Sequence, residues 1–248
     1  MPFNPFSLEG KTILVTGASS GIGRAAAVHC SRMGAKIVLA GRNSQRLQET
    51  MTMLDGDGHL FFVADLTSEM EIDSMAGRMP ALDGVVHCAG VGQRKPCKSI
   101  TQEDISAVMS INFNAAVLLQ SSLLTRKIIN KSGSIVFISS RTADIPTVAN
   151  SIYSASKAAI KSYARCLAAE LAPRDIRVNC ICPAMVWTDF IVNEGVTEEE
   201  LKQEEKKYPL KRYGRPEDIA NLIIYLLSDA SSWMTGSSLD ITGGAIII

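Results

Sequence analysis

Short apolar runs rich in β-branched residues alternate along the chain with stretches whose apolar positions recur every three or four residues. Such runs are typical of buried strands, and the recurrence is typical of amphipathic helices. Seven runs predict strands: KTILVTG (11–17), AKIVLAG (35–41), HLFFVAD (59–65), LDGVVHCAG (82–90), GSIVFISS (133–140), IRVNCIC (176–182) and SSLDIT (237–242).

The stretches between the strands predict six helices, at 22–34, 44–54, 68–79, about 102–129, about 152–172 and about 216–228. Strands that alternate with helices imply a parallel sheet covered on both faces, and right-handed crossovers make it a doubly wound, Rossmann-type sheet. Ligands of such a sheet bind beyond the carboxyl ends of its strands. Because no repeat or Pro/Gly-rich linker interrupts the alternation, residues 1–248 are predicted to form a single α/β domain.

One stretch, residues 184–213, departs from this alternation and carries the charged run TEEELKQEEKK at 197–207. A charged run of this kind is typical of a solvated surface helix. Long insertions beyond strand ends also often cover a ligand, so a lid over the binding site is the second interpretation.

Composition narrows the classes of partner. Hydrophobic residues make up 46% of the 248 residues and aromatic residues only 6%, so an aliphatic core is expected. Because 25 Lys and Arg balance 25 Asp and Glu, neither nucleic acid nor an anionic membrane is expected as the main partner. The first residues lack the pattern of a signal peptide, and no apolar run approaches the roughly 18 residues that span a bilayer.

The six cysteines include no CxxC pair, so neither a disulfide framework nor a zinc site is expected. Cys180 and Cys182 alternate along a predicted strand, which indicates two small apolar side chains on one face. No metal is expected, and this cysteine usage favours a reduced, cytoplasmic location. The other cysteines are Cys30, Cys88, Cys97 and Cys166.

The first predicted strand runs into TGASSGIG at 16–23, where a helix begins. Gly17, Gly21 and Gly23 let the backbone turn sharply and approach a pyrophosphate, and the helix N-terminus beyond them offers free N–H groups. The spacing Gly-x3-Gly-x-Gly differs from the GxGxxG of the common dinucleotide fingerprint. The turn therefore predicts a dinucleotide site, with an ordinary tight turn as the alternative.

The end of the second strand distinguishes NAD from NADP in dinucleotide folds, because a carboxylate there holds the ribose 2′-hydroxyl and an arginine accommodates a 2′-phosphate. Here Gly41 replaces the acid and Arg42 follows, which favours NADP; a solvent-facing charge is the alternative. Ser20 weakens the prediction of NADP, because a basic residue at this place in the glycine turn would be a second partner for the 2′-phosphate and serine is not basic. Asp65 is expected either to bind the adenine amino group or to lie at a helix N-terminus.

Tyr153 and Lys157 stand four residues apart in SIYSASKAAIKSYA (151–164), which places both side chains on one face of a predicted helix. A nearby ammonium favours the phenolate and lowers the pKa of a tyrosine from about 10. The pair is therefore a candidate for proton transfer. A core-edge tyrosine beside a snorkelling lysine is the alternative.

These motifs, with CAG at 88–90, Asn112 and ISS at 138–140, occur in the order and spacing of the short-chain dehydrogenase/reductase family, which the chain resembles over essentially its whole length. The resemblance implies the catalytic residues Asn112, Ser140, Tyr153 and Lys157. Ser140 is preferred to Ser139 because the family's serine usually precedes the tyrosine by thirteen residues. Asn112 is preferred to Asn114 because the family's asparagine is followed three residues later by a small residue, which here is Ala115.

The resemblance also implies how these residues reduce a ketone with a nicotinamide cofactor. Tyr153 gives the proton, Lys157 lowers the pKa of Tyr153 and binds the nicotinamide ribose, Ser140 polarises the carbonyl, and Asn112 holds a relay water. In PAMVWT at 183–188, the Val186 main chain and Thr188 would hold the carboxamide. The implied cofactor contacts are Gly17, Ser19, Ser20, Gly21, Ile22, Gly23, Arg42, Asp65, Leu66, Ala89, Gly90, Tyr153, Lys157, Pro183, Val186 and Thr188.

Three positions depart from the family pattern without removing a reacting group. Cys88 stands where Asn is common, Ala184 where Gly is common, and Thr242 where Asp is common. Support for the strand beside Cys88 must therefore come from elsewhere, and Ala184 is expected to stiffen the turn near the nicotinamide.

The substrate is predicted only as a ketone or secondary alcohol. The nearest general resemblance is to 3-oxoacyl-(acyl-carrier-protein) reductases, in which two basic residues near the mouth of the active site meet the acidic carrier protein. Lys131 and Arg174 match them, and helix-end charges are the alternative. An apolar substrate lining, or ordinary packing, is expected of Met185, Trp187, Phe190 and Ile191.

Other functions remain open from the sequence. An NAD-dependent sugar or steroid alcohol dehydrogenase shares the scaffold, and a non-catalytic dinucleotide-binding protein would need only the glycine turn. An extended sugar-nucleotide epimerase or dehydratase needs a second domain, for which 248 residues leave little room. The resemblance implies a homotetramer with the helices near 102–129 and 152–172 in one interface.

Overall fold

Seven parallel strands form one continuous sheet in the computed structural model of the chain, which describes residues 3–192 and 197–245. Their order is β3-β2-β1-β4-β5-β6-β7. The strands are β1 Thr12–Thr16, β2 Lys36–Gly41, β3 Leu60–Val63, β4 Leu82–His87, β5 Ile129–Ile138, β6 Arg177–Pro183 and β7 Ser238–Ile241. Because the strand order reverses between β1 and β4, the predicted doubly wound sheet is confirmed and a crevice opens at the carboxyl ends of these two strands.

Helices cover both faces of the sheet. In the part of the chain that the structure describes they are α1 Gly21–Arg32, α2 Ser44–Met51, α3 Glu69–Ala76, α4 Gln102–Met109, α5 Ala115–Thr125, α6 Ser151–Leu171, α7 Asp189–Val192, α8 Glu198–Glu205 and α9 Pro216–Leu227. α1 and α9 pack together on one face, whereas α3, α5 and α6 cover the other.

The core consists of two apolar layers, one on each side of the sheet. Successive residues of a strand point to opposite faces, so Leu14 of β1 lies in one layer while Ile13 and Val15 lie in the other. Every position of β4 after Asp83 is buried. The central strands are therefore fixed from both sides, and the loops at their carboxyl ends start from rigid positions.

The predicted helix 102–129 is wrong at its C-terminal end. The helix ends at Thr125, and Ile129 already pairs with Leu82 as the first residue of β5. Lys127 turns the chain with a φ of 56°, a left-handed conformation that no glycine announces in the sequence. A π-helical turn at Ser110–Asn114 also divides the helix into α4 and α5.

Within the described residues, the combined helix Gln102–Thr125 is long and apolar enough to cross a membrane, judged by length and composition alone. Its most apolar window has a mean hydropathy of 1.4, and 33% of that window is buried in the domain. The sequence shows no uninterrupted apolar run of this length, because Ser, Asn and Gln stand among the apolar residues of the helix. The helix packs against α3 and α6, and most of its apolar side chains outside the core are half-buried rather than exposed.

All six cysteines are unpaired thiols. Cys180 and Cys182 are buried in β6, as expected of small apolar side chains. Over residues 3–192 and 197–245, no group of three His, Cys, Asp or Glu side chains has an arrangement that could hold a metal ion.

Candidate active site

A cavity of about 1690 Å³ lies along the carboxyl ends of the strands. It runs from the glycine turn and the end of β2, past α6, to the segment 184–213. A small-ligand pocket typically measures about 300–1,000 Å³, so this cavity has room for a dinucleotide and a second molecule. All the cofactor contacts that the sequence resemblance implies line it.

At Gly17 and Gly23, the turn between β1 and α1 has no space for a side chain. A Cβ on Gly23 would lie 2.3 Å from the Gly17 carbonyl oxygen, and one on Gly17 would lie 2.9 Å from the Ala89 Cα. Gly17 and Gly21 also have positive φ angles, 64° and 51°. Ser20, the N-cap of α1, makes no side-chain capping bond to the first turn. The turn therefore exposes backbone N–H groups at a helix N-terminus, which fits the diphosphate of a dinucleotide.

The end of β4 is held against β1 by one hydroxyl group. Thr16 Oγ1 accepts hydrogen bonds from the backbone N–H groups of Cys88 and Ala89, at 3.1 and 3.2 Å. The support expected to come from elsewhere, given Cys88, is thus supplied by Thr16. Burial raises the pKa of the Cys88 thiol to about 12, so the side chain remains a neutral thiol in the wall of the cavity.

Arg42 and Asp65 lie together at one end of the cavity, beyond β2 and β3. Asp65 Oδ1 accepts hydrogen bonds from the backbone N–H and the hydroxyl of Thr67, at 2.9 and 2.8 Å. These bonds, and to a lesser extent Arg42, lower the pKa of the Asp65 carboxyl. Asp65 precedes α3 without capping it, because Ser68 is the N-cap.

Lys157 is almost completely buried, with 5% of its surface exposed. Its ammonium donates to the Ile138 carbonyl at 2.9 Å and lies 5.7 Å from the centroid of the Tyr153 ring. Burial lowers the pKa of Lys157 from 10.5 to about 8, so the side chain is still predominantly charged at neutral pH. Tyr153 and Lys157 therefore share the same wall of the cavity, as the four-residue spacing predicted.

The two serines after β5 face different groups. Ser139 Oγ donates to the Lys157 carbonyl at 2.8 Å, which ties the strand end to α6. Ser140 lines the cavity, and its Oγ accepts from the N–H and the hydroxyl of Thr142, at 3.2 and 3.0 Å. Its own hydroxyl hydrogen is thus left to point toward a ligand.

Asn112 lies behind the cavity wall, in the π-helical turn. Its side-chain oxygen accepts from the Val91 N–H at 2.8 Å, and its NH₂ group donates to the Val91 carbonyl and to Ser156 Oγ, each at 3.0 Å. This side chain joins the loop after β4 to α6. A role in holding water would therefore fall to the main-chain carbonyl of the turn, where the extra residue interrupts the α-helical ladder.

The described parts of segment 184–213, residues 184–192 and 197–213, line the far end of the cavity and contain a small apolar cluster of their own. The hydrogen bonds from Trp187 N–H to the Gly214 carbonyl and from Gly214 N–H to the Met185 carbonyl close its base. Met185 and Ile191 line the cavity, but Trp187 packs inside the cluster and donates to Glu205. The side chain of Phe190 and residues 193–196 lie outside the described residues.

Comparison with known proteins identifies the family. The family model described as enoyl-(acyl carrier protein) reductase matches residues 17–245. A 3-oxoacyl-(acyl-carrier-protein) reductase of Rickettsia felis is 31% identical over 97% of this chain and 99% of its own length. The chain belongs to the short-chain dehydrogenase/reductase family.

Other short-chain dehydrogenase/reductases differ in the substrates that their names state. An L-xylulose reductase of Caenorhabditis elegans is 32% identical, with 98% of both chains covered. The crystal structure of a putative NAD(P)-dependent gluconate 5-dehydrogenase from Beutenbergia cavernae, with bound NADP, has a TM-score of 0.89 and 32% identity and covers 97% of this chain and 98% of its own. The protein is accordingly an oxidoreductase that transfers hydride between a nicotinamide dinucleotide and a ketone or secondary alcohol.

Two of the family departures are compatible with this fold. Ala184 lines the cavity, and its N–H donates to the Ile241 carbonyl at 3.2 Å, so the turn keeps its tie to β7. The Thr242 carbonyl accepts from the Ala245 N–H at 3.1 Å. Neither position brings a bulky side chain toward the glycine turn.

The prediction that Lys131 and Arg174 stand near the mouth of the active site is wrong. Both lie at the amino-terminal edge of the sheet, whereas the cavity is at the carboxyl ends. The six residue-to-residue steps from Ser134 to Ser140 alone span about 20 Å of extended chain. Both side chains also have partners in the fold, since Lys131 pairs with Asp175 and Arg174 donates to the Ile129 carbonyl.

Several polar side chains that line the cavity were not predicted from the sequence, among them Arg46, Arg141 and Tyr208. Arg141 directly follows Ser140, and that adjacency could have suggested it. Arg46 lies four residues after Arg42, so a second basic residue near the end of β2 was visible in the sequence. Tyr208 had no comparable sequence signal, because it follows a charged run that reads as solvated surface.

Proposed function

We propose that this short-chain dehydrogenase/reductase is an NADP(H)-dependent carbonyl reductase in which Tyr153, Lys157, Ser140 and Asn112 carry the reaction. The observation that carries the proposal is the buried Lys157 ammonium 5.7 Å from the Tyr153 ring, in the same cavity as the glycine turn. Burial of a cation costs free energy, so a buried ammonium beside a phenol in a cleft is a candidate functional group.

A dihydronicotinamide held in this cavity would supply the hydride that reduces the carbonyl carbon and would itself be oxidised. Tyr153 donates its phenolic proton to the carbonyl oxygen, so one C–H and one O–H bond form as the C=O double bond becomes a C–O single bond. Lys157 stabilises the resulting phenolate, because its buried ammonium lies 5.7 Å from the centroid of the Tyr153 ring. Its charge persists at neutral pH, since its pKa stays near 8.

Ser140 orients the substrate. Its Oγ already accepts two hydrogen bonds from Thr142, so its remaining capacity is that of a donor, directed at the oxygen on which negative charge develops. Thr142 acts as the support that fixes the direction of this donor.

Asn112 contributes to return of the proton through its main chain. Its side chain is occupied by Val91 and Ser156. The side-chain bonds hold the π-helical turn close to Lys157, since a Cβ on Gly90 would lie 3.2 Å from Asn112 Oδ1 and 3.3 Å from Lys157 Nζ. A water on the carbonyl of this turn would link Lys157 to solvent and reprotonate Tyr153.

NADP is the proposed cofactor, with NAD as the less favoured one. Gly41 leaves the end of β2 without a carboxylate to hold a ribose 2′-hydroxyl, and Arg42 beside it lines the cavity. The bound NADP of the Beutenbergia cavernae protein supports the same choice. Asp65 and Leu66 are proposed to contact the adenine.

A 3-oxoacyl thioester is the first substrate candidate, because the Rickettsia felis relative is named for that class. A sugar ketone is the second, which the Caenorhabditis elegans relative supports. Docking of an acyl carrier protein at Lys131 and Arg174 is no longer proposed, since both lie at the opposite edge of the sheet.

Substrate and cofactor are tested together by following cofactor oxidation with a 3-oxoacyl thioester, a keto sugar and a steroid ketone. We expect turnover with at least one of them, and kcat/KM about tenfold higher with NADPH than with NADH, the value of one charge-assisted hydrogen bond. NADPH binding without oxidation of cofactor by any ketone would favour the non-catalytic dinucleotide-binding alternative.

We also propose a homotetramer in the cytoplasm. The half-buried apolar side chains of the helix Gln102–Thr125, of whose most apolar window only 33% is buried, support burial of this helix against a second copy, together with α6. The six unpaired thiols fit a reducing compartment. Light scattering is expected to give the mass of four chains of 26.7 kDa, and the mass of one chain would contradict the assembly.

A further inference from the structure

An ion pair crosses the cavity between two distant parts of the chain. Arg46 Nη2 lies 2.5 Å from Asp189 Oδ2, and both residues line the cavity. Arg46 belongs to α2, beside the end of β2, whereas Asp189 begins α7 directly after Thr188. The pair therefore connects the Arg42 end of the cavity to the stretch 184–192, which lines the other end.

The position of Arg46 is not explained by the stability of its own helix. Arg46 lies in the first turn of α2, where the helix dipole disfavours a cation and favours a carboxylate. Its backbone N–H is already capped by Asn43 Oδ1 at 2.9 Å. The guanidinium thus extends from an unfavourable helix position into the cavity.

The ion pair is also easily exchanged. The side chains of Arg46 and Asp189 are 42% and 64% exposed, and exposed pairs contribute little to stability. A phosphate monoester carries a charge of about −1.5 to −2 at neutral pH, against −1 for a carboxylate, and offers three acceptor oxygens. A phosphate in this part of the cavity would therefore displace Asp189 from Arg46.

The other charged groups near this end of the cavity have separate partners. Asp65 is bonded to Thr67. Arg24, behind the turn, donates to the Ser19 carbonyl and pairs with Glu49 at 3.2 Å. Among the described residues, Arg42 and Arg46 are thus the cations that line the cavity beside the end of β2, where a 2′-phosphate would lie.

We propose that Arg46 is a second binding residue for the 2′-phosphate of NADP and that Asp189 pairs with it until the cofactor enters. The inference rests on the proposed NADP preference. Arg46 would be the second basic partner of the 2′-phosphate, which the glycine turn does not provide because it has Ser20 instead of a basic residue. Asp189 then competes with the cofactor phosphate for one guanidinium, so its removal strengthens NADPH binding.

The test measures Kd for NADPH and NADH by direct fluorescence titration of the protein, without substrate. Arg46→Gln is expected to raise the Kd of NADPH about tenfold and to leave that of NADH within about twofold. Asp189→Asn is expected to lower the Kd of NADPH about two- to fivefold with no change for NADH. In the Arg46→Gln background, Asp189→Asn is expected to have no effect on NADPH.

Lys36→Gln is the matched control, since it removes one positive charge at the opposite end of β2. Arg42→Ala tests the proposed cofactor separately, and we expect it to weaken NADPH much more than NADH. Equal effects of Arg42→Ala on both cofactors, or no NADPH preference in the unaltered protein, would overturn the cofactor proposal.

With that preference present, three outcomes would overturn the inference about Arg46. An unchanged Kd in Arg46→Gln would mean that the guanidinium does not bind the cofactor. Equal weakening of NADPH and NADH would place Arg46 on the pyrophosphate, which both cofactors share. Weaker binding of both cofactors in Asp189→Asn would mean that the ion pair closes over the bound dinucleotide.

Discussion

Tyr153→Phe is expected to lower kcat by about 10³-fold, while the Kd of NADPH stays within about threefold of its original value. The substitution removes one hydroxyl group, the proposed proton donor, and keeps the ring that packs beside Lys157. General acid catalysis typically contributes about 10²–10⁴-fold, which sets the expected size of the loss. Single-turnover kinetics with a ketone found in the cofactor-oxidation screen measures the effect on the chemical step.

Tyr163→Phe is the matched control for this experiment. Tyr163 lies on the same helix, but its ring packs edge-on against Phe137 and Phe113 in the core layer. The control is expected to keep kcat within about twofold, as is usual for a substitution away from the reacting groups. A Tyr153→Phe protein with near-normal kcat would show that another group donates the proton.

Lys157→Met is expected to abolish turnover and at the same time to stabilise the fold. Burial lowers the pKa of Lys157 from 10.5 to about 8, which corresponds to about 3 kcal/mol of unfavourable free energy for the charged form at neutral pH. Methionine fills a similar volume without that charge, but it gives up the hydrogen bond to the Ile138 carbonyl. We therefore expect the free energy of unfolding at pH 7 to rise by about 1–3 kcal/mol.

The sign of the effect depends on pH. Between pH 8 and pH 10.5 the unfolded chain still binds the Lys157 proton while the folded protein has released it, so the stability of the unaltered protein rises with pH relative to the variant. The advantage of Lys157→Met should thus be full below pH 8 and absent above pH 10.5. Urea unfolding of both proteins across this range measures the difference.

Lys161→Met is the control, because Lys161 is a second buried lysine one turn further along α6 that is paired with Asp144. Removal of a paired lysine leaves its partner without a counter-ion, so we expect no stabilisation. If Lys157→Met proved less stable than the unaltered protein at pH 7, the buried charge would be better compensated than its surroundings indicate.

Most of the fold could be predicted from the sequence because the decisive patterns are local. The apolar runs of β1, β2 and β4 end at glycine or at a polar turn, and the spacing of Tyr153 and Lys157 needs only helix geometry. The end of α5 could not be predicted, since a lysine rather than a glycine adopts the left-handed turn at residue 127.

The remaining errors concern contacts between distant segments. Lys131 and Arg174 are a different case, because each shortly precedes a predicted strand and the strand pattern alone places both at the amino-terminal edge of the sheet. The pair between Arg46 and Asp189 joins residues 143 positions apart. The three hydrogen bonds of the Asn112 side chain likewise require the loop after β4 and α6 to be in place.

The closed base of segment 184–213 has an evolutionary consequence. Its small cluster, with Leu201 and Tyr213 at the centre, is separate from the two layers of the main core. Mutations that reshape this cluster can therefore accumulate without disturbing the sheet or the glycine turn. The part of the cavity wall that this segment forms can therefore change while the strands and the glycine turn are retained.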